Sequence, residues 1–291
     1  MKRAFTLVEL MVVIGILGIL IGVLLGAIGG STESANAAKC QANMRNLAMA
    51  VQATAMERKK VDNHYYPYAG SFKQYSGGSK NGKRTQKLTL GWIGSTGTSY
   101  PSPYESSQED FEKTIEKGQL WSSMNHAREC YVCPGHVRQA KKMKQNRPLW
   151  SYAMNAYFGW AGDGKPRARE YFGVCYESLS RTDRRLLFAE LPYAVIDEGA
   201  VSQNGELSGT ASDPVLQYKG CTGEGKEAIG FNHKNGKLLT GHICFADGHV
   251  EKLIAPKSGD VVELTSWLCN PTDDNGDFDV VFDGGQYKKS E

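Results

Sequence analysis

One carboxylate, Glu9, stands inside an otherwise uncharged run from Phe5 to Gly30. In hydrocarbon a carboxylate costs about 2.5–3.5 kcal/mol even on lenient insertion scales, so this one calls for a cationic partner. The nearby basic side chains, Lys2 and Arg3, belong on the cytoplasmic side by the positive-inside rule. A cut just before Phe5 supplies a better partner. The new α-amino group is a cation at the membrane interface, and Glu9 of a neighbouring chain can neutralise it.

Three further groupings carry ligating or reactive atoms. Cys130 and Cys133 form a Cys-x-x-Cys-Pro arrangement. A redox pair of that spacing opens a helix after a strand, whereas Pro134-Gly135 points to a turn. A structural disulfide is therefore the favoured use, with the pairing open. His233, His242, Asp247 and His249 crowd one predicted hairpin. Facing imidazoles with an aspartate could bind zinc, but a turn with Asp at its first position and polar strand ends accounts for the pattern better. Asp273, Asn275, Asp277 and Asp279 place oxygens at alternate positions, and calcium takes about six to eight such ligands. The EF-hand pattern fails, because Gly276 holds the fourth position and no Glu closes the loop, so a solvated acidic turn competes. No nucleophile–base pair, P-loop or dinucleotide fingerprint is present, and no catalytic residue or enzymatic activity is expected.

The elements that must position these residues divide the chain sharply. Residues 5–30 are nearly all apolar, and the remainder is globular sequence rich in Gly, Tyr and Ser. Those 26 residues, at about 1.5 Å each in a helix, span a hydrocarbon core of roughly 30 Å. A secretory signal peptide has a shorter apolar region, roughly 7–15 residues, and a plain signal anchor gains nothing from Glu9. The net charge is +3, and removing Lys2 and Arg3 leaves +1, which gives no footprint for nucleic acid. Seven cysteines in a chain of this size suit an oxidising compartment, and the odd count leaves at least one thiol free or paired between chains.

Lys2-Arg3-Ala4 followed by Phe5-Thr6-Leu7-Val8-Glu9-Leu10 resembles the cleavage and methylation signature of type IV prepilins and type II secretion pseudopilins. The resemblance implies that a prepilin peptidase cuts after Ala4 and methylates Phe5, and that Glu9 sets subunit register in a filament. Ala4 stands where the family usually has Gly, and Gly26 where many of these helices have Pro. Gly18, Gly22, Gly26 and Gly30 recur every fourth residue and draw a smooth ridge for close helix approach; tolerated glycine in a membrane helix is the plainer alternative. The resemblance also implies a Cys40–Cys133 disulfide that pins the domain to its stalk, and it raises the C-terminal acidic loop as a calcium site.

From Ser31 to Lys60 the helix continues. Cys40, Met44, Leu47, Val51 and Ala55 form an apolar stripe, with Lys39, Arg45, Gln52 and Arg58 on the polar side. Residues 63–108 read as loops and short strands, and Ser107 as the N-cap of a helix to Gln119. Strands are predicted at Leu186–Glu190, Lys237–Thr240, His242–Ala246 and Val250–Ile254, with Asp247-Gly248 as a type I′ hairpin turn. A second resemblance joins Ser151–Tyr157, Leu187–Glu190 and His233 through Asp247-Gly248 to a subgroup of large pilin-like proteins with a C-terminal His…Asp-Gly signature. Here thirteen residues separate His233 from Asp247, where the common pattern has nine.

The expected fold is α+β and pilin-like: a leader at 1–4, a transmembrane helix at 5–30, its periplasmic continuation at 31–61, and a globular domain at 62–291 with an antiparallel sheet packed on the helix. The expected function is structural, in a pilus or secretion pseudopilus. The partners expected are prepilin peptidase, copies of itself and other pilins, an inner-membrane assembly platform and the lipid bilayer. The alternative is a membrane-anchored periplasmic binding or sensing domain delivered by a pilin-type signal.

Overall fold

The computed structural model describes residues 6–60, 62–80, 83–95, 107–142, 144, 146–155, 158–159, 174–179, 182–191, 214–216, 230–236, 238–254, 280–283 and 286–289, with backbone alone at 24–31, 60, 72–80, 83–87, 280–283 and 286–289. One helix, α1 (Leu7–Glu57), dominates. Its sequence is rich in Ala and Leu and holds no proline, so nothing interrupts the ladder. It ends where the Arg58 N–H turns back to the carbonyls of Thr54 and Ala55.

The two halves of α1 meet different surroundings. From Leu7 to Val23 every side chain is exposed, including Leu7 at 71% and Val23 at 71%. In the second half Cys40, Met44, Leu47, Val51 and Ala55 are completely buried, as their spacing predicts. Burying each of the larger ones contributes about 1.5–3 kcal/mol. Among the described residues no helix is long and apolar enough to cross a membrane.

After α1 come β1 (Lys59–Lys60) and β2 (Asn63–His64), then a hairpin of β3 (Phe72–Lys80) and β4 (Lys83–Thr89). These strands are longer than the loops and short strands expected there. Ser107 caps α2 (Gln108–Thr114) by accepting from the Asp110 N–H, while Asp110 returns the bond to the Ser107 N–H. The helix is shorter than predicted, because the chain turns off at Ile115 and Gly118 packs under the Trp92 carbonyl. A 3₁₀ turn at Arg128–Tyr131 leads into α3 (Pro134–Lys142). Pro134 therefore starts a helix instead of making a turn: at the first helical position its missing N–H costs nothing.

The central sheet holds β5 (Tyr152–Asn155), β6 (Leu186–Glu190), β7 (Val215–Leu216), β8 (His233–Asn235), β9 (Leu238–Phe245) and β10 (Val250–Ile254). Its order is β10-β9-β6-β5-β7, with β8 also on β9. The expectation of an antiparallel sheet needs correction. β7 pairs with β5 in parallel, and the sheet is mixed. A parallel neighbour needs a long crossover, and β7 lies a whole strand and a long connection beyond β5. A last hairpin joins β11 (Val280–Asp283) to β12 (Gln286–Lys289).

The two strands predicted at 237–240 and 242–246 form the single strand β9, with Gly241 inside it. A side chain at Gly241 would meet the Gly230 carbonyl oxygen at 2.1 Å, so only glycine lets the two segments approach. The β9–β10 turn is not type I′. Gly248 has φ +93° while Asp247 is absent from the positive-φ residues, and Phe245 pairs with His249 across Ala246, Asp247 and Gly248. That is a type I turn closed by a left-handed glycine, the usual three-residue hairpin loop. Gln52 of α1 donates to the Ala246 carbonyl at 3.1 Å and ties this tip to the helix.

Candidate functional site

The first candidate site is the start of α1. The Glu9 N–H donates to Thr6 Oγ1 at 3.2 Å, and Glu9 Oε2 accepts from the Thr6 N–H and Oγ1, each at 2.8 Å. This is a capping box. The Thr-x-x-Glu spacing announces it in the sequence, where attention to the charge of Glu9 alone passes over it. Two elements of the predicted ridge, Gly18 and Gly22, have open space beside them, with nothing within 4 Å of an added Cβ. Of Gly26 and Gly30 only the helical backbone is described, and Ala4 and Phe5 lie outside the described residues, as does the acidic stretch Asp273, Asn275, Asp277 and Asp279.

The second candidate is a buried polar cluster under α1. The topology builds it. β6 and β8 both pair with the same edge of β9, Ala189 opposite Ile243 and His233 opposite Thr240. The end of β6 therefore meets the beginning of β8, where the Gly230 N–H donates to the Glu190 carbonyl at 2.7 Å. Strand alternation turns His242 and Cys244 toward α1: His242 Nε2 lies 3.0 Å from Gln41 Nε2, and Cys244 Sγ lies 3.7 Å from the Met44 carbonyl. Cys40 enters from α1 and Cys133 from the residue before α3.

Glu190 is the hub. Its Oε1 receives Cys40 Sγ at 3.0 Å and His242 Nδ1 at 2.6 Å, and its Oε2 receives Asn232 Nδ2 at 3.0 Å. His233 Nε2 lies 3.4 Å from Glu190 Oε1 and 3.2 Å from Cys133 Sγ. The Tyr152 hydroxyl donates to Cys40 Sγ at 3.4 Å. Cys40, Cys133, Glu190, His233, His242, Asn232 and Tyr152 are all fully buried. One ligating atom from each of Cys40, Cys133, Glu190 and His233 falls within 4.8 Å of the other three.

Burial works against every charge in this cluster, and the neighbours reverse it. Burial pushes the Glu190 carboxyl up, but His233 and His242 outweigh it and hold the group well below the usual carboxylate range. Burial pulls His233 down, while Cys133 and Glu190 raise it to about 10. Burial lifts the Cys40 thiol well up, and the Cys133 sulfur beside it adds to the effect. Cys133 is also pushed up by burial, but hydrogen bonds from Cys40 and His233 bring it below the ordinary thiol value.

The hairpin grouping predicted from sequence is thus split. His233 and His242 face inward, their rings 5.0 Å apart, and belong with Glu190. His249 faces outward, stacks on Phe245 at 4.3 Å and pairs with Asp247 Oδ1 at 2.6 Å. The Cys-x-x-Cys pair is split as well: the 3₁₀ turn leaves Cys130 half-buried, 3.8 Å from Asn46 Nδ2, while Cys133 points into the core. Cys40, Cys130, Cys133, Cys175 and Cys244 are all free thiols among the described residues. The structure brings Cys40 and Cys133 together, as the expected bridge requires, but as thiols.

His136, one turn into α3, sits behind the cluster with Nδ1 2.8 Å from Ser151 Oγ. Burial pulls its pKa from 6.5 to about 3, and the Glu190 charge opposes this only in part. In the unfolded chain it titrates at the higher value, so between the two the unfolded chain binds more protons. The stability is complete above about pH 6.5 and falls as pH falls toward 3. His136→Asn, which keeps a polar atom near Nδ1, is expected to remove about 2–3 kcal/mol of the stability difference between roughly pH 7 and pH 4.5. Urea unfolding of both chains at the two pH values measures it. Equal pH sensitivity would mean that His136 titrates normally.

The match to a known family model is confined to the N-terminus. Residues 1–25 match the family model described as the prokaryotic N-terminal methylation motif. This is the signal of type IV pilin-like and pseudopilin substrates of prepilin peptidase. No curated protein and no solved structure matches the chain.

Proposed function

We propose that the chain is a structural subunit of a type IV pilus or a type II secretion pseudopilus, assembled through α1 once prepilin peptidase has removed residues 1–4. What carries the reading is the methylation motif standing on a helix half whose side chains, Leu7 to Val23, are apolar and exposed all round apart from Glu9. Exposed apolar surface on that scale needs lipid or other chains to cover it. Lipid covers it before assembly, with the rest of the chain on the periplasmic side. In the filament the same helix faces of neighbouring subunits, copies or other pilins, replace the lipid, delivered by an inner-membrane assembly platform. Gly18 and Gly22 leave room for that approach. Glu9 then exchanges its capping bonds to Thr6 for the methylated amine of a neighbouring Phe5.

Two measurements test this. Mass spectrometry of the membrane-extracted chain is expected to give Phe5 as an N-methylated first residue. Glu9→Ala is expected to stay folded and in the membrane, while its content in sheared filaments falls at least about tenfold, because it leaves the buried Phe5 amine of a neighbour without a counter-ion, a loss of about 3–5 kcal/mol. An intact Met1, or wild-type incorporation of the variant, would overturn the proposal and favour a membrane-anchored binding domain.

A further inference from the structure

The buried cluster is more than a stalk-to-head contact. We propose that Cys40, Cys133, Glu190 and His233 are the four ligands of a tetrahedral zinc-type divalent cation that staples α1 to the head.

The donor set fits. Zinc takes thiolate sulfur, imidazole nitrogen and carboxylate oxygen at about 2.0–2.3 Å. Four atoms around one such centre stand roughly 3.3–3.8 Å from each other by tetrahedral geometry. The separations here lie at or just under that range: 3.0 Å for Cys40 Sγ–Glu190 Oε1, 3.2 Å for Cys133 Sγ–His233 Nε2 and 3.4 Å for His233 Nε2–Glu190 Oε1, with Cys133 Sγ 3.7 Å from the second carboxylate oxygen, Oε2. All four ligands are fully buried, which is the closed form of a structural site, without the open position that catalysis needs.

The surroundings fit as well. Ligands of structural metals are oriented by a second layer of hydrogen bonds. Glu190 is held by Asn232 Nδ2 at 3.0 Å and by His242 Nδ1 at 2.6 Å, and His242 is in turn met by Gln41 at 3.0 Å. Cys40 receives the Tyr152 hydroxyl. Gly135 lies against the His233 ring, where a Cβ would come within 2.9 Å of Cε1, so the ring is wedged with Nε2 toward the other ligands. The four ligands come from α1, from the residue before α3, from β6 and from β8, so one ion ties together elements that are distant in sequence. Binding sends the thiol protons of Cys40 and Cys133 and one proton of the His233 imidazolium to solvent, and the resulting two thiolates, one neutral imidazole and one carboxylate are balanced to within one charge by a divalent ion.

The test uses the full chain in detergent, stripped with chelator under reducing conditions and then titrated with zinc alone and with cobalt(II) alone. A single equivalent is expected to bind, and cobalt should give the thiolate charge-transfer and tetrahedral d–d bands of mixed sulfur ligation. Zinc should slow alkylation of Cys40 and Cys133, leaving Cys130 and Cys175 reacting as before; this comparison needs no variant. Cys133→Ser is expected to abolish the cobalt charge-transfer band or reduce it to that of one thiolate. His242→Gln, which removes the imidazole that holds Glu190 without removing a ligand, is expected to weaken zinc about 10–100-fold with the spectrum kept. No zinc uptake, a cobalt spectrum of oxygen ligation only, or a Cys40–Cys133 disulfide in the chain isolated without reductant would each overturn the site.

Discussion

Replacing Glu190 with alanine is expected to lower the unfolding free energy of the head by about 3–5 kcal/mol, a large part of what a domain of this kind possesses. Glu190 is fully buried, and at its two oxygens it satisfies Cys40, His242 and Asn232. Truncation leaves the Cys40 and His242 donors, and one N–H of Asn232 whose amide keeps only the Leu191 carbonyl at 2.9 Å, inside the protein with no acceptor, and each one costs about 1–3 kcal/mol. No water reaches them without a cavity, and the charge of His233 loses its counter-ion. Glu190→Gln keeps the shape and one acceptor oxygen, but its amide opposes the amide of Asn232, so it should fall between wild type and alanine. Urea unfolding followed by tryptophan fluorescence reads the head selectively, because all five tryptophans lie beyond residue 90. A loss below about 1 kcal/mol for the alanine variant would mean that the cluster is not a source of stability.

What the sequence made legible was whatever is written locally. The stripe Cys40, Met44, Leu47, Val51, Ala55 repeats along one helix face, and all five residues are buried. β6 and β10 carry the bounds that their apolar runs predict. The cluster was not legible, because Cys40 and Glu190 are 150 residues apart, Cys133 and His233 are 100 apart, and only the pairing of β6 and β8 on one edge of β9 unites them. Proximity along the chain grouped His242 with Asp247 and His249; strand alternation places His242 on the opposite face. The pilin-type resemblance touched Cys40, Cys133, Glu190 and His233 as separate motifs. Their convergence gives those motifs a common physical reason, although the expectation drawn from them was a disulfide. In the stretch from 63 to 108, Gly, Ser and Tyr obscured β3 and β4, although Asn81-Gly82 between them is a strong hairpin signal.

That same stretch holds the residue whose loss should rival that of Glu190. Trp92→Ala is expected to cost about 3–5 kcal/mol, the range for removing a large aromatic from a packed core. Trp92 is completely buried although it lies in an irregular segment, and it closes one side of the sheet. Its ring stacks on Tyr131 at 5.9 Å and meets Phe188 of β6 edge-on at 5.0 Å. Its indole N–H donates to the Pro214 carbonyl at 2.8 Å, which fixes the chain where it enters β7. The backbone around it is clamped as well: the Trp92 N–H donates to the Tyr68 carbonyl at 2.7 Å, and a Cβ at Gly118 would stand 2.3 Å from the Trp92 oxygen. With its frame held so tightly the segment cannot collapse into the space left by the indole, and residual cavity volume is what makes such truncations costly. Trp92→Phe keeps most of the ring contacts and removes the indole donor, but the Pro214 carbonyl still accepts from the Met154 N–H at 2.9 Å, so it should cost only about 0.5–1.5 kcal/mol. Far-UV circular dichroism during urea unfolding compares the three chains without relying on the fluorescence that the substitution removes. If alanine and phenylalanine cost the same, the hydrogen bond to Pro214 and not the packing holds this side of the sheet together.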